Sequence, residues 1–344
     1  MDETRNPPGW FNMNVRPPCR VQSGEARLDG FREVLSLQTQ RKPWLCGVVG
    51  FLCALAVPVG AVWAQPGGED GPPVHSRVHL VSEFEAVTPG MTAMLGLVFD
   101  LDDGWHSYAD SWNDSGAPMS AVWSLPEGFT IGDPIWPAAH RFIQPGGILD
   151  HVYEHQAIIL FPLAIDADVE VGTDAVISAS LEWLVCDDNS CVPQFAETSI
   201  TIPVHNATKI GEGARVIAKA RTKMGRLATG SKADPVILSW QGDTLVAENL
   251  EGLGMAFVPG PGCVEPIDLL ERGQSDTGRL ELAFNFDDHP EGLVVGWIEL
   301  IDKPGKRPLT TPERITLVRL HRGERPARLL GQPGGEAAPE QGPR

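Results

Sequence analysis

Basic residues are scarce in this sequence of 344 residues. Lysine and arginine number 27 against 45 aspartate and glutamate residues, so the formal net charge is −18 at pH 7. A surface of that sign repels phosphate backbones. We therefore exclude nucleic acid as a partner.

The sequence also lacks the motifs of several large enzyme classes. It contains no phosphate loop, no Ser-His-Asp arrangement and no pair of carboxylates with a catalytic pattern. These absences argue against nucleotide chemistry and against hydrolysis. No cofactor and no resident metal are expected.

Long apolar runs are absent except for one, which extends from Trp44 to Val62 behind Arg41 and Lys42. A basic start, an apolar stretch and small residues before a cut are typical of a secretory signal. We predict a leader and signal peptide over residues 1–64, cleaved near Ala64, and a periplasmic or otherwise exported protein. The alternative is an uncleaved leader, which would be the protein's sole contact with a membrane.

Cysteine is also rare, and three of the six cysteines lie in the leader. Of the others, Cys186 and Cys191 are separated by four polar, turn-prone residues, whereas Cys263 is left over. Strand-like runs on both sides of the pair predict a hairpin that brings the two sulfurs within disulfide reach. A ring this small stabilises a fold by only about 2 kcal/mol. The pair is therefore better explained by reversible redox chemistry than by a structural clasp, although both readings stay open.

Asp187 and Asp188 directly follow the first cysteine of the pair. Their negative charge disfavours a neighbouring thiolate, so the dithiol would be a slow nucleophile that needs activation by a partner. The simpler alternative is that both aspartates are there because they favour a turn.

Short alternating segments separated by Gly and Pro turns predict an all-β protein. We expect an immunoglobulin-like β-sandwich over residues 75–204, a short linker helix over 208–228 and a second, smaller β domain over 235–322. The tail over 323–344 is rich in Pro, Gly and Glu and is predicted to be disordered.

Two histidines raise a metal hypothesis. His151 and His155 would share one face if their stretch were a single strand, and with the cysteine pair they would form a two-Cys, two-His site for zinc or copper. An oxidising compartment competes with a metal for the thiolates. A Zn- or Cu-binding carrier is therefore an alternative rather than the main hypothesis.

Several motifs occur in an order that carries a family resemblance. The matching stretches are Gly104–Tyr108, Asp114–Pro118, Trp123–Gly128, Trp136–Pro137, Tyr153–Glu154 and Cys186–Pro193. Together they resemble the N-terminal periplasmic domain of the thiol:disulfide interchange protein DsbD and its ScsB-like relatives. Residues 235–300 resemble, more loosely, a second β region of ScsB-like members.

The resemblance implies a redox-active pair, Cys186 and Cys191, of which Cys191 would form the bond to a partner. It places Tyr108, His106 and Tyr153 at the site, beside Asp187 and Asp188. It also places a shielding loop near 146–151, where Ile148 and Leu149 stand instead of the aromatic residue of better-known members.

The resemblance further implies protein-disulfide reductase-type activity. Electrons would come from a thioredoxin-like or membrane electron-donor protein and pass to exported acceptor proteins. The sequence shows no eight-helix membrane domain and no thioredoxin-like Cys-x-x-Cys domain, so we expect the donor to be another chain. The competing hypothesis is a non-catalytic exported binding or assembly protein with an inert disulfide.

Overall fold

The structure, a computed structural model, describes residues 74–301 and 314–326. The predicted signal peptide and almost all of the predicted tail lie outside the described residues. In chain order, the first part of the fold comprises β1 (Ser76–Ser82), β2 (Phe84–Ala86), β3 (Thr92–Leu101), β4 (His106–Tyr108), β5 (Ser120–Ser124), β6 (Phe129–Ile131), β7 (His140–Gln144), β8 (Ile148–Glu154), β9 (Gln156–Ile165), β10 (Asp174–Cys186) and β11 (Cys191–Pro203).

Within residues 76–203 these strands form the two layers of an immunoglobulin-like sandwich. One layer has the order β1-β3-β9-β6, and the other has the order β11-β10-β4-β8-β7, with β5 also paired to β10. The paired strands of both layers run antiparallel. The predicted fold class is confirmed.

The pattern of β10 shows why this sequence forms a sandwich. Alternate residues of the strand are buried, and they are Ala175, Ile177, Ala179, Leu181, Trp183 and Val185. Side chains point to opposite faces at successive positions, so this set faces the other layer. There it joins Leu97, Phe99 and Ile159 in the largest apolar cluster of the described residues.

The linker helix is shorter than predicted. After β12 (Lys209–Ile210), which pairs with β2, helix α1 (Gly213–Thr222) covers half of the predicted stretch, and β13 (Arg226–Leu227) follows. Ile217 and Ala220 of α1 pack with Met94 and Ile158 on the outer face of the first layer. Lys209 and Arg221 form ion pairs with Glu85 and Glu83 at the surface.

The second β unit comprises residues 226–301 and 314–321. It contains β13, β14 (Ile237–Gln241), β15 (Thr244–Glu248), β16 (Gly254–Pro259), α2 (Leu269–Arg272), β17 (Gln274–Ser275), β18 (Arg279–Ala283), β19 (Leu293–Ile301) and β20 (Ile315–His321). Its sheets have the orders β13-β20-β19-β16-β17 and β14-β15-β18. In the part of the chain that the structure describes, no helix is long and apolar enough to cross a membrane.

Candidate functional site

The two cysteines end one hairpin and are joined by a disulfide. Strands β10 and β11 pair over their whole length, and Cys186 and Cys191 form the last register pair, beside the loop. Their Cα atoms lie 4.1 Å apart and their sulfurs are bonded at 2.08 Å. The bond thus sits at the tip of a long, regular ladder.

Asp187 builds the loop between the cysteines. Its carboxylate accepts hydrogen bonds from the backbone N–H groups of Asn189 (2.8 Å) and Ser190 (2.7 Å) and from the Ser190 hydroxyl (3.1 Å). These bonds, the backbone ones first, lower the pKa of Asp187. The geometry is that of an aspartate turn, as the turn alternative expects. Asp188 is exposed. An effect of either charge on the thiols stays a prediction.

The two cysteines differ in access to solvent. Cys191 is exposed, whereas only 1% of the Cys186 surface is. A visiting sulfur therefore meets Cys191 first.

Cys186 is buried on the outer face of its own sheet. Val185 already faces the core, so alternation turns Cys186 outward. There it forms the Cys186 cluster with Tyr108 and Val152, against which Phe142 and Leu184 pack. Strands β4, β8 and β7 lie side by side next to β10 and supply the cover.

Tyr108 makes a direct polar contact with the buried sulfur. Its hydroxyl donates a hydrogen bond to Cys186 Sγ at 3.1 Å. Burial raises the pKa of Tyr108, so the hydroxyl keeps its proton at neutral pH and remains a donor. A hydroxyl in this position stabilises negative charge on the sulfur more than it stabilises a neutral sulfur.

His106 is the register partner of Cys186 on β4. The residue is buried, and its ring centroid lies 5.5 Å from that of Tyr108 and 4.7 Å from that of Phe142. The structure therefore brings His106, Tyr108 and the disulfide together; that they act in exchange stays a prediction.

Sequence reasoning missed three members of the Cys186 cluster, Phe142, Val152 and Leu184. The prediction looked for a shield in residues 146–151, but β7 and β8 form a hairpin in which Phe142 stands opposite Asp150. Ile148 is 38% exposed at the start of β8, and Leu149 is buried outside the Cys186 cluster. Gly146 and Gly147 both have positive φ values in the turn. Recognising them as a hairpin turn would have pointed to β7.

Tyr153 lies away from the cysteines. It belongs to the sandwich core and is the neighbour of Val152 on β8, so the two side chains face opposite sides of the sheet. Its hydroxyl donates to Pro137 O at 2.9 Å. Its predicted place beside the pair therefore does not hold in the structure.

The bridging segment, residues 109–118, is fastened over Tyr108 by a buried carboxylate. Asp150 accepts hydrogen bonds from the Ser115 hydroxyl (2.6 Å), the Ser115 N–H (3.0 Å) and Gln144 Nε2 (2.7 Å). Burial alone would raise the pKa of Asp150, but the hydrogen bonds outweigh it and hold the pKa below its usual range. The Asp114 carboxylate accepts a further hydrogen bond from the Leu149 N–H at 2.7 Å, which also ties the segment to β8.

Gly116 lies directly against the Tyr108 ring. A Cβ atom built on it would be 2.0 Å from two ring carbons. We expect Gly116→Ala to displace Tyr108, to destabilise the fold by about 1–3 kcal/mol and to slow disulfide exchange. Urea unfolding and reduction rates would measure both effects. Gly132→Ala is the control, because its Cβ would lie no closer than 3.3 Å to Pro162. Equal reduction rates for the two variants would contradict the expectation.

The metal arrangement does not form among the described residues. His151 is buried, and its Nδ1 donates to Trp112 O at 2.8 Å. Burial first, and then the charge of Arg141, lowers the pKa of His151 to about 4. His155 lies between β8 and β9 with a φ of 60° and is 76% exposed. Across 74–301 and 314–326, no group of three or more His, Cys, Asp or Glu side chains is placed to hold a metal ion.

Cys263 is a free cysteine in the second β unit. It is 6% exposed, and burial raises the pKa of its thiol to about 12. Thiolate is the reactive form of cysteine. Cys263 is therefore a poor competitor for partners of the disulfide pair.

The family model for the N-terminal region of the thiol:disulfide interchange protein DsbD matches residues 77–203. Residues 77–203 form a DsbD N-terminal domain. The matched range contains both cysteines of the disulfide and most of the sandwich. Comparison with curated proteins gives no match.

Solved structures similar to this chain include N-terminal domains of ScsB and DsbD. The N-terminal periplasmic domain of ScsB from Proteus mirabilis is 15% identical with a TM-score of 0.44, over 72% of this chain and 94% of that one. The reduced DsbD N-terminal domain of Neisseria meningitidis is 18% identical with a TM-score of 0.23, over 39% of this chain and 90% of that one. The complex between the DsbD N-terminal and PilB N-terminal domains of the same organism contains a chain that is 20% identical, with a TM-score of 0.24. The match covers 35% of this chain and 81% of that one.

Proposed function

We propose that this protein is a thiol–disulfide exchange module that passes electrons through Cys186 and Cys191. The observation that carries the proposal is an accessible disulfide with one exposed and one covered sulfur, in a DsbD N-terminal domain. A thioredoxin-like donor protein and exported acceptor proteins are the partners that fit this family. An oxidising compartment outside the cytoplasm is the setting in which such a bond persists.

The exchange proceeds in two displacements. A thiolate of the reduced donor attacks Cys191 Sγ, and Cys186 Sγ leaves with the electron pair of the broken bond. The second donor thiolate then attacks the donor's own sulfur in the mixed disulfide and releases the Cys191 thiolate. The donor ends as a disulfide, and this protein ends as a dithiol after two protons are taken up from solvent. The same steps in reverse reduce an acceptor.

The Cys186 cluster has two roles in this scheme. The Tyr108 hydroxyl stabilises the thiolate that leaves in the first step. Phe142, Val152 and Leu184 cover the same sulfur, which keeps small oxidants away from the resting dithiol. Cys191 remains the point of entry for a partner.

A redox titration tests the proposal. We expect reduced thioredoxin to open the disulfide and the reduction potential to lie above about −300 mV, since inert structural disulfides fall below that value. The readout is the fraction of alkylated cysteine against a thiol–disulfide buffer, with Cys263→Ala in the background. A potential below that limit together with no exchange with thioredoxin would favour the inert binding or assembly protein instead.

A further inference from the structure

The bridging segment joins the redox site to the second β unit. The Ser111 hydroxyl donates to Pro259 O at 2.6 Å, and Trp112 Nε1 donates to Cys263 O at 3.0 Å. Both acceptors are backbone carbonyls of the second β unit. The segment is thus held from outside the sandwich.

The acceptors themselves are firmly placed. Pro259 is the last residue of β16, and the Cys263 N–H donates to Gly260 O in the following turn at 3.1 Å. Val264 N–H donates to Leu293 O at 2.9 Å, and both Cys263 and Val264 belong to the apolar core of the second β unit. A displacement of these carbonyls would therefore require that core to move.

On its other side the same segment contacts the cover of Cys186. The Trp112 carbonyl accepts the His151 ring N–H at 2.8 Å, and Asn113 Oδ1 accepts the His151 backbone N–H at 2.7 Å. A few residues further on, Gly116 lies on the ring of Tyr108, whose hydroxyl meets Cys186 Sγ. A continuous series of contacts therefore runs from Cys263 O to the buried sulfur.

A second connection reaches the same cluster through β7. Arg141 precedes Phe142, and its guanidinium donates to Leu269 O and Leu270 O, each at 3.2 Å. Burial lowers the pKa of Arg141 to about 10, so it stays charged at neutral pH. The bridging segment, which packs on Tyr108, and β7, which carries Phe142, are therefore both tied to backbone carbonyls of the second β unit.

We propose that the second β unit positions the Cys186 cover and that Trp112 is the main positioning residue. The effect of this positioning on disulfide exchange rests on the proposed function. Trp112 does not touch the sulfurs. It acts by fixing the segment against which the Tyr108 ring is packed.

The test compares two tryptophans that make matched hydrogen bonds. Trp112→Phe removes the 3.0 Å bond to Cys263 O, whereas Trp240→Phe removes a similar indole bond, 2.8 Å long, to Glu324 O, which lies outside the bridging segment. The readouts are the rate of disulfide reduction by dithiothreitol and the pKa of Cys186, followed by carbon NMR in a Cys191→Ser, Cys263→Ala background.

We expect Trp112→Phe to slow reduction about threefold and to raise the pKa of Cys186 by about half a unit. A weaker hydrogen bond from the Tyr108 hydroxyl to Cys186 Sγ disfavours the thiolate. Trp240→Phe should leave both values unchanged, because Trp240 packs against the core of the second β unit. Unchanged values for Trp112→Phe, or equal shifts for both variants, would overturn the proposal. If Trp112→Phe fails to fold, Ser111→Ala is judged by the same readouts.

Failure of this inference and failure of the proposed function are distinguishable. Wild-type protein that does not exchange with thioredoxin contradicts the function. The dithiothreitol rates and the Cys186 pKa still decide whether Trp112 positions the cover, because neither needs a protein partner.

Discussion

Cys186→Ala is expected to accumulate a stable mixed disulfide with a thioredoxin-like partner, whereas Cys191→Ala traps essentially none. The reason is access, since Cys191 is exposed and Cys186 is 1% exposed beneath the Cys186 cluster. In Cys186→Ala the exposed Cys191 thiolate attacks the disulfide of an oxidised thioredoxin-like partner, one partner thiol leaves, and no neighbouring thiol of this protein remains to release the partner from the mixed disulfide. We expect a yield difference of about tenfold or more, measured by mass spectrometry of non-reduced complexes.

Cys263→Ala is included in both single variants so that the trapping thiol is unambiguous. Cys263 alone, in a Cys186→Ala, Cys191→Ala background, should trap no partner, because burial raises the pKa of its thiol to about 12. Trapping through Cys191→Ala instead of Cys186→Ala would reverse the assigned roles. Failure of both single variants would count against exchange altogether.

Tyr108→Phe is expected to slow exchange by about tenfold. The substitution keeps the ring that packs against Gly116 but removes the hydroxyl that donates to Cys186 Sγ at 3.1 Å. A hydrogen bond to a charged group contributes about 1.5–3 kcal/mol, and sulfur is a weak acceptor, so the lower end applies. About 1.4 kcal/mol is a factor of ten in rate or in acid dissociation. We therefore expect the pKa of Cys186 to rise by about one unit.

The chain's other tyrosine provides a matched control. Tyr153→Phe also removes one buried hydroxyl, which donates to Pro137 O at 2.9 Å on the core side of β8. Both variants should lose about 1 kcal/mol of unfolding free energy. Only Tyr108→Phe should change the titration of the Cys186 thiol, followed by carbon NMR in a Cys191→Ser, Cys263→Ala background, and the titration should move to higher pH because the thiolate loses its hydrogen bond. Identical titrations for the two variants would contradict a role for the Tyr108 hydroxyl.

The ordered motifs placed three residues beside the cysteine pair, and the structure brings only two of them there. Tyr108 and His106 were placed at the pair from an ordered set of motifs, and the structure puts both beside Cys186. Tyr153 was placed there from the same set, but one step along β8 turns its side chain into the core. A motif order identifies which strands take part, whereas the facing of each residue depends on the register of pairing.

The sequence by itself determined the hairpin, its disulfide and the sandwich class. Alternation over 175–185, turn residues at 187–190 and a cysteine on each side are local signals, and local signals can be read without knowing which strands pair. The short spacing of the cysteines also limits how much a purely structural disulfide could stabilise the fold.

Only the tertiary structure decided which sulfur is covered. Alternation alone turns Cys186 toward solvent, yet β4, β7 and β8 bring Tyr108, Phe142 and Val152 over it. Those contacts join residues that are 34 to 78 positions away in the chain, as does the hydrogen bond from Trp112 to the second β unit across 151 positions. Such proximity is set by strand order and packing, which no local pattern of residues encodes.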